Sequence, residues 1–107
     1  MARIDKVAFS FRAPAGESLT GVLAVKLNTA GAVVRAGSAE AIGVVCLPGT
    51  IATGRPVSVL RNAEIVEFGG TTGGLYYAVG TAGSIGSTAG GTFVGVAVEA
   101  DRLVVAL

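Results

Sequence analysis

The apolar positions of this chain recur in a short alternating pattern that is written twice. Residues 23–47 read LAVKLNTAGAVVRAGSAEAIGVVCL. A shift of 52 positions, without a gap, lays Leu75 on Leu23, Thr81-Ala82-Gly83 on Thr29-Ala30-Gly31, and Gly95-Val96 on Gly43-Val44. In each copy an apolar run enters a Thr-Ala-Gly turn, returns, and leads to a second apolar run, Ile42-Gly43-Val44-Val45 or Val94-Gly95-Val96-Ala97. A further strand-like run closes each copy, at residues 56–60 and 103–107.

These periods predict strands. Val22, Leu23, Val25 and Leu27 make a strand, with Lys26 facing out near its end. Asn28 and Gly31 tolerate the positive φ of a tight hairpin, and residues 32–36 read as its return. Residues 42–47 are wholly apolar and rich in β-branched side chains, which suits a strand buried on both faces. Residues 48–54 read as a loop. Residues 61–68, RNAEIVEF, are expected to be a strand with Ala63 and Ile65 opposite Glu64 and Glu67, and residues 69–74 a flexible joint. The second copy repeats the plan: an entering strand over 75–79, a short return over 84–86, a buried strand over 92–98, a compact turn over 99–102 and a last strand tied into the sheet. Before the first copy, Val7, Phe9 and Phe11 alternate with polar or small residues, and residues 14–18 read as a turn.

No window carries the i, i+3, i+4, i+7 pattern of an amphipathic helix. Short strands every 8–12 residues with glycine-rich turns predict an all-β fold, a small β-sandwich or partly open barrel built from a tandem strand-turn-strand repeat. The expected organisation is an N-terminal arm or edge strand over 1–20 and a single β domain over 21–107, with repeat copies at 21–60 and 73–107.

Composition narrows the function classes. At 107 residues the chain is one domain. Charged residues make up 14%, against about 25% in ordinary globular proteins. This shortage of charge suggests a surface partly covered by other subunits. The net charge of +1 gives no footprint for nucleic acid. Mean hydropathy is high, at +0.71, yet no run approaches the roughly 18 apolar residues of a spanning helix. The first six residues lack the apolar core of a signal peptide, so synthesis in the cytoplasm without membrane insertion is expected.

Candidate chemistry is sparse. The sequence contains no histidine, the commonest general base and metal ligand. Cys46 is the single cysteine, so no intrachain disulfide can form, and its apolar neighbours predict a buried thiol. Gly80, Gly83 and Gly86 lack the lysine or the helix of a phosphate-binding loop. Glu64 with Glu67, and Glu99 with Asp101, read as solvated rims rather than acid–base pairs. Lys26 lies inside a strand, unlike the hairpin-tip lysine that carries biotin or lipoate. No catalytic residue, metal ligand or cofactor is therefore expected. A rival reading, a virion adhesion or tail-associated β domain that binds carbohydrate, would have Tyr76 and Tyr77 as its aromatic platform.

With the repeat laid out, the chain resembles the tailed-phage capsid decoration, or cement, proteins. The resemblance rests on Ala24-Val25-Lys26-Leu27, Thr29-Ala30-Gly31, Ile42-Gly43-Val44-Val45 and Val57-Ser58-Val59-Leu60 in the first copy. In the second it rests on Tyr77-Ala78-Val79, Thr81-Ala82-Gly83, residues 94–98 and Leu103-Val104-Val105. It covers roughly residues 12–107, and the polar second return strand, residues 84–87, departs from it. It implies a non-enzymatic virion protein on the outer capsid surface, commonly a homotrimer, that binds the major capsid protein and bridges its neighbours. It also implies that the N-terminal segment, residues 2–14, contacts the shell or a neighbouring subunit, with Arg3, Lys6, Phe9, Phe11 and Arg12 as the candidates. As an arm, residues 1–13 should be dispensable for folding.

Overall fold

In the computed structural model, which describes residues 10–107, every regular element is a β-strand. In chain order these are β1 (Phe11–Pro14), β2 (Leu19–Leu27), β3 (Val33–Arg35), β4 (Gly43–Ile51), β5 (Pro56–Val59), β6 (Ile65–Glu67), β7 (Leu75–Val79), β8 (Ser84–Gly86), β9 (Phe93–Glu99) and β10 (Arg102–Val105). The fold is all-β, as the strand periods predict.

The strands form three antiparallel sheets, β1-β5, β3-β2-β4 and β6-β10-β9-β7-β8. Two bridges join the first two sheets at both edges. Val44 and Leu60 exchange hydrogen bonds of 2.9 and 2.7 Å, which carries β4 into the end of β5. Ala15 bridges Val33, and the Gly16 N–H donates to the Val33 carbonyl at 2.7 Å, which carries β1 into β3. The order β1-β5-β4-β2-β3 thus returns on itself as a small closed ring. The last five strands follow the same order with every number raised by five, but they remain an open sheet.

Period-2 alternation in β2 and β4 decides which side chain serves which core. Val25 and Val45 point into the ring, with Leu19, Val33, Val57 and Val59. Ala24 and Val44, one position earlier, point outward and pack against Val66, Tyr76, Ala78, Val94, Ala97, Leu103 and Val105 of the open sheet. Val44 and Val45 are both fully buried, one towards each core, while Ile42, Cys46 and Leu47 are half-buried, so only the middle of the apolar run over 42–47 is covered on both faces. The open sheet therefore takes its core from the outer wall of the ring. Each Leu or Val buried this way contributes about 1.5–3 kcal/mol before chain entropy is set against it.

The two Thr-Ala-Gly turns play different parts. In the first, the Asn28 side-chain oxygen accepts the N–H groups of Ala30 and Ala32 at 2.9 and 3.0 Å, and Gly31 has φ +79°. That turn is exposed. In the second, the Gly83 carbonyl accepts the Ala24 N–H at 2.8 Å, and the Gly83 N–H donates to the Ala36 carbonyl at 2.9 Å. The same tripeptide thus caps a hairpin once and fastens the two halves together once.

The glycine shared by the two Gly-Val strands has one cause in both. A Cβ on Gly43 would run into the Val59 side chain and approach the Leu60 carbonyl oxygen to 3.0 Å. One on Gly95 would overlap the carbonyl oxygen of Val104. In both halves the closing strand lies too near for any side chain.

Several expectations need correction. Of the two readings of residues 1–20, the described part takes the strand alternative, because β1 pairs with β5; the boundary at residue 20 shifts, because β2 already begins at the fully buried Leu19. Removing residues 1–13 would strip Phe11 and Ala13 from the first core, so the cut that spares β1 falls before Ser10. The expected loop over 48–54 starts later, because β4 continues through Pro48 to Ile51. In β6 the face is inverted: Val66 is buried while Ile65 and Glu67 face solvent. Cys46 is partly exposed, at the margin of the second core, and not a buried thiol.

Candidate interaction surfaces

The outer face of the open sheet carries a continuous apolar row. Register places Ile65 opposite Val104, Val104 opposite Val96, and Val96 opposite Leu75, so four side chains align across β6, β10, β9 and β7. The ends of the row are open to solvent, with Ile65 56% and Leu75 49% exposed. On the same face, Tyr77 meets Phe93 edge-on at 5.6 Å, and Val98 is 46% exposed. Scattered exposed apolar residues are ordinary, but a contiguous patch on a small domain marks a contact surface. The alternation that buries Val66, Leu103 and Val94 necessarily turns these neighbours outward.

A charged row borders the apolar one. Arg102 stands opposite both Glu67 and Glu99, and it pairs with Glu99 at 3.6 Å. Glu67, Asp101 and Arg102, with Ile65 and Val66, line a groove of about 270 Å³.

The other accessible face belongs to the ring. Arg12 and Pro14 on β1 lie opposite Ser58 and Pro56 on β5, all exposed, with Arg55 exposed at the start of β5. Of the five N-terminal candidates, Arg12 is therefore on the surface, and Phe11 is half-buried against the ring core. Arg3, Lys6 and Phe9 lie outside the described residues. Ser10 anchors the start of β1 to the junction between the halves: its hydroxyl donates to Glu64 at 2.7 Å and accepts the Arg61 N–H at 3.1 Å.

The remaining charges near the ring are satisfied locally. Lys26 donates to Glu40 at 2.6 Å, and that hydrogen bond, with the ammonium charge beside it, holds the Glu40 carboxyl below its usual range. Glu17 accepts both the backbone N–H and the guanidinium of Arg35, at 2.7 and 3.1 Å. Exposed pairs of this kind add little stability. Their consequence is that Lys26 and Arg35 are engaged within the chain.

The two tyrosines are not equivalent. Tyr76 is only 8% exposed, packs edge-on against Phe68 at 5.2 Å, and accepts the Thr71 N–H at 2.7 Å through its hydroxyl. It is a core residue with a satisfied polar tip. Tyr77 alone remains for any aromatic platform, already engaged with Phe93.

No protein-family model matches the chain, and no curated protein matches it significantly. Among the described residues no group of three or more His, Cys, Asp or Glu side chains is placed to hold a metal ion, and no helix is long and apolar enough to cross a membrane.

The apolar row escaped the sequence reading although its signal was present. Ile65, Leu75, Val96 and Val104 all belong to runs assigned to the core, and only the register between four strands shows that they share the outer face. A one-residue change of register would send each to the opposite side.

Proposed function

We propose that this chain is a structural virion protein that binds the outer surface of a tailed-phage capsid and stabilises the shell by bridging major capsid proteins. The observation that carries the reading is the uncovered apolar row from Ile65 to Leu75, on a domain of this size a contact surface for another subunit of an assembly. A surface of that kind suits a protein partner. The doubled sequence unit and its resemblance to decoration proteins specify which kind.

In this reading the chain is non-enzymatic, takes no cofactor, and works as an oligomer, a homotrimer by the resemblance. Weak contacts from many copies then sum on the lattice to a strong clamp. The N-terminal segment reaches the shell or a neighbouring subunit through Arg3, Lys6, Phe9 and Arg12. The carbohydrate-binding alternative loses support from the burial of Tyr76, which withdraws one of its two aromatic groups.

Deletion of residues 1–9 tests the role of the segment. The variant retains β1 and is expected to unfold at nearly the temperature of the full chain. Its binding to undecorated shells should fall by about tenfold or more, equivalent to about 1.4 kcal/mol. Unchanged pelleting with shells would remove the N-terminal segment from the binding surface.

A further inference from the structure

The described chain is electrically lopsided. The ring half, residues 10–61, holds Arg12, Lys26, Arg35, Arg55 and Arg61 against Glu17 and Glu40, a net +3. The open-sheet half, residues 62–107, holds Arg102 against Glu64, Glu67, Glu99 and Asp101, a net −3. A net charge near zero for the whole chain conceals two halves of opposite sign.

The unpaired charges gather on two surfaces. Lys26 and Arg35 are engaged by Glu40 and Glu17 and Arg61 is half-buried, so the basic excess is presented mainly by Arg12 on the outer face of β1 and by the exposed Arg55 in the bend that enters β5. Neither makes an ion pair among the described residues. The acidic excess borders the apolar row: Glu67 and Asp101 line the groove beside Ile65, and Arg102, which stands opposite both Glu67 and Glu99, pairs with Glu99.

We infer that the outer face of the open sheet is a docking surface for the β1-β5 face of a second copy of this chain. Arg12 and Arg55 of one copy meet Glu67, Asp101 and Glu99 of the next, while Pro14 and Pro56 cover the row from Ile65 to Leu75. The complementarity is between two different surfaces of one molecule, so the contact is head-to-tail, and such contacts close into rings when the rotation permits. An isologous pairing of two open sheets would leave the acidic rim without the basic partner that Arg12 and Arg55 supply. Opposite charge across the contact also steers encounter and fixes its register.

This inference deepens the proposal that the chain works as an oligomer. Its test uses the isolated full chain, so its failure is distinct from a failure to bind capsids. Sedimentation velocity at about 50 mM salt, at protein concentrations up to the order of 100 μM where weak contacts are populated, should show species heavier than one chain. At about 500 mM salt, where exposed charges are largely screened, association should weaken several-fold.

Glu67→Arg and Arg12→Glu, both at exposed positions, should each leave the chain folded and predominantly monomeric. An equimolar mixture of the two variants should associate again, because each restores the complement that the other lacks. Leu75→Lys should abolish association without affecting the fold. A monomer at every concentration in low salt overturns the inference. So does undiminished self-association of either charge variant, or failure of the mixture to recover it.

Discussion

Replacing Gly95 with alanine is expected to destabilise the fold by about 3 kcal/mol or more, at the upper end of overpacking costs. The added methyl would overlap the carbonyl oxygen of Val104 and lie 3.2 Å from the Cα of Val105. Both are backbone atoms of β10, so no rotamer change relieves the overlap. Relief requires β9 and β10 to move apart, which disturbs Leu103 and Val105 in the core at the same time. Gly43→Ala should cost less, because its nearest obstacle is the Val59 side chain rather than backbone. Gly49, on β4, provides the control: a Cβ there meets nothing within 4 Å, and its φ is not positive. Gly49→Ala should leave stability unchanged or raise it by a few tenths of a kcal/mol, because alanine restricts the unfolded chain. Urea unfolding of the three variants orders these costs. Equal midpoints for Gly95→Ala and Gly49→Ala would refute the account of the Gly-Val strands.

Leu103→Ala is expected to cost about 2–5 kcal/mol, because the lost transfer energy adds to that of a cavity that well-packed neighbours cannot fill. Leu103 is fully buried at the centre of β10, between Val66 on β6 and Ala97 on β9. For a domain of this size each kcal/mol lowers Tm by about 4–8 °C, so a loss of about 15 °C is the expected scale. The effect should appear as a shift of one cooperative transition. The two cores share β2 and β4, whose alternate residues belong to one core and then the other, so neither half keeps its packing once the other is lost. Calorimetry on the variant checks this: two separated transitions, or a shift of only a degree or two, would contradict the shared-wall architecture.

The reading of the sequence was strongest where one local cause decides the structure. Apolar runs placed β2 and β7, the wholly apolar run at 42–47 marked a strand that is buried on both sides at Val44 and Val45, and Asn28 with Gly31 marked a hairpin turn. These depend on side-chain period and turn chemistry within a few residues. Features that depend on distant pairing were illegible. Phe11-Arg12-Ala13-Pro14 has little likeness to Ile65-Val66-Glu67, yet β1 lies beside β5 as β6 lies beside β10. Topological equivalence holds without sequence equivalence, because a strand this short asks only for an extended backbone and inward apolar side chains at alternate positions.

The β6 segment shows the limit of counting periods in a short strand. Ile65 and Val66 are both apolar, so either could face the core, and pairing with β10 decides for Val66. That choice leaves Ile65 exposed and creates one end of the apolar row. Likewise nothing local in Thr81-Ala82-Gly83 distinguishes it from Thr29-Ala30-Gly31. Its hydrogen bonds to Ala24 and Ala36 exist because the second sheet packs on the ring. Cys46 misled for a related reason: its neighbours Val44 and Val45 are buried, but the strand leaves the core at Cys46 as it runs out towards Ile51.

If the chain is a capsid decoration protein as proposed, its source is a tailed phage, and the most direct test is co-sedimentation of the purified full chain with mature, undecorated shells of that phage. The account predicts saturable pelleting at a fixed ratio to capsid subunits, with one copy per subunit if trimers occupy the three-fold positions. No pelleting with mature or expanded shells, under conditions where the chain is folded, would contradict it.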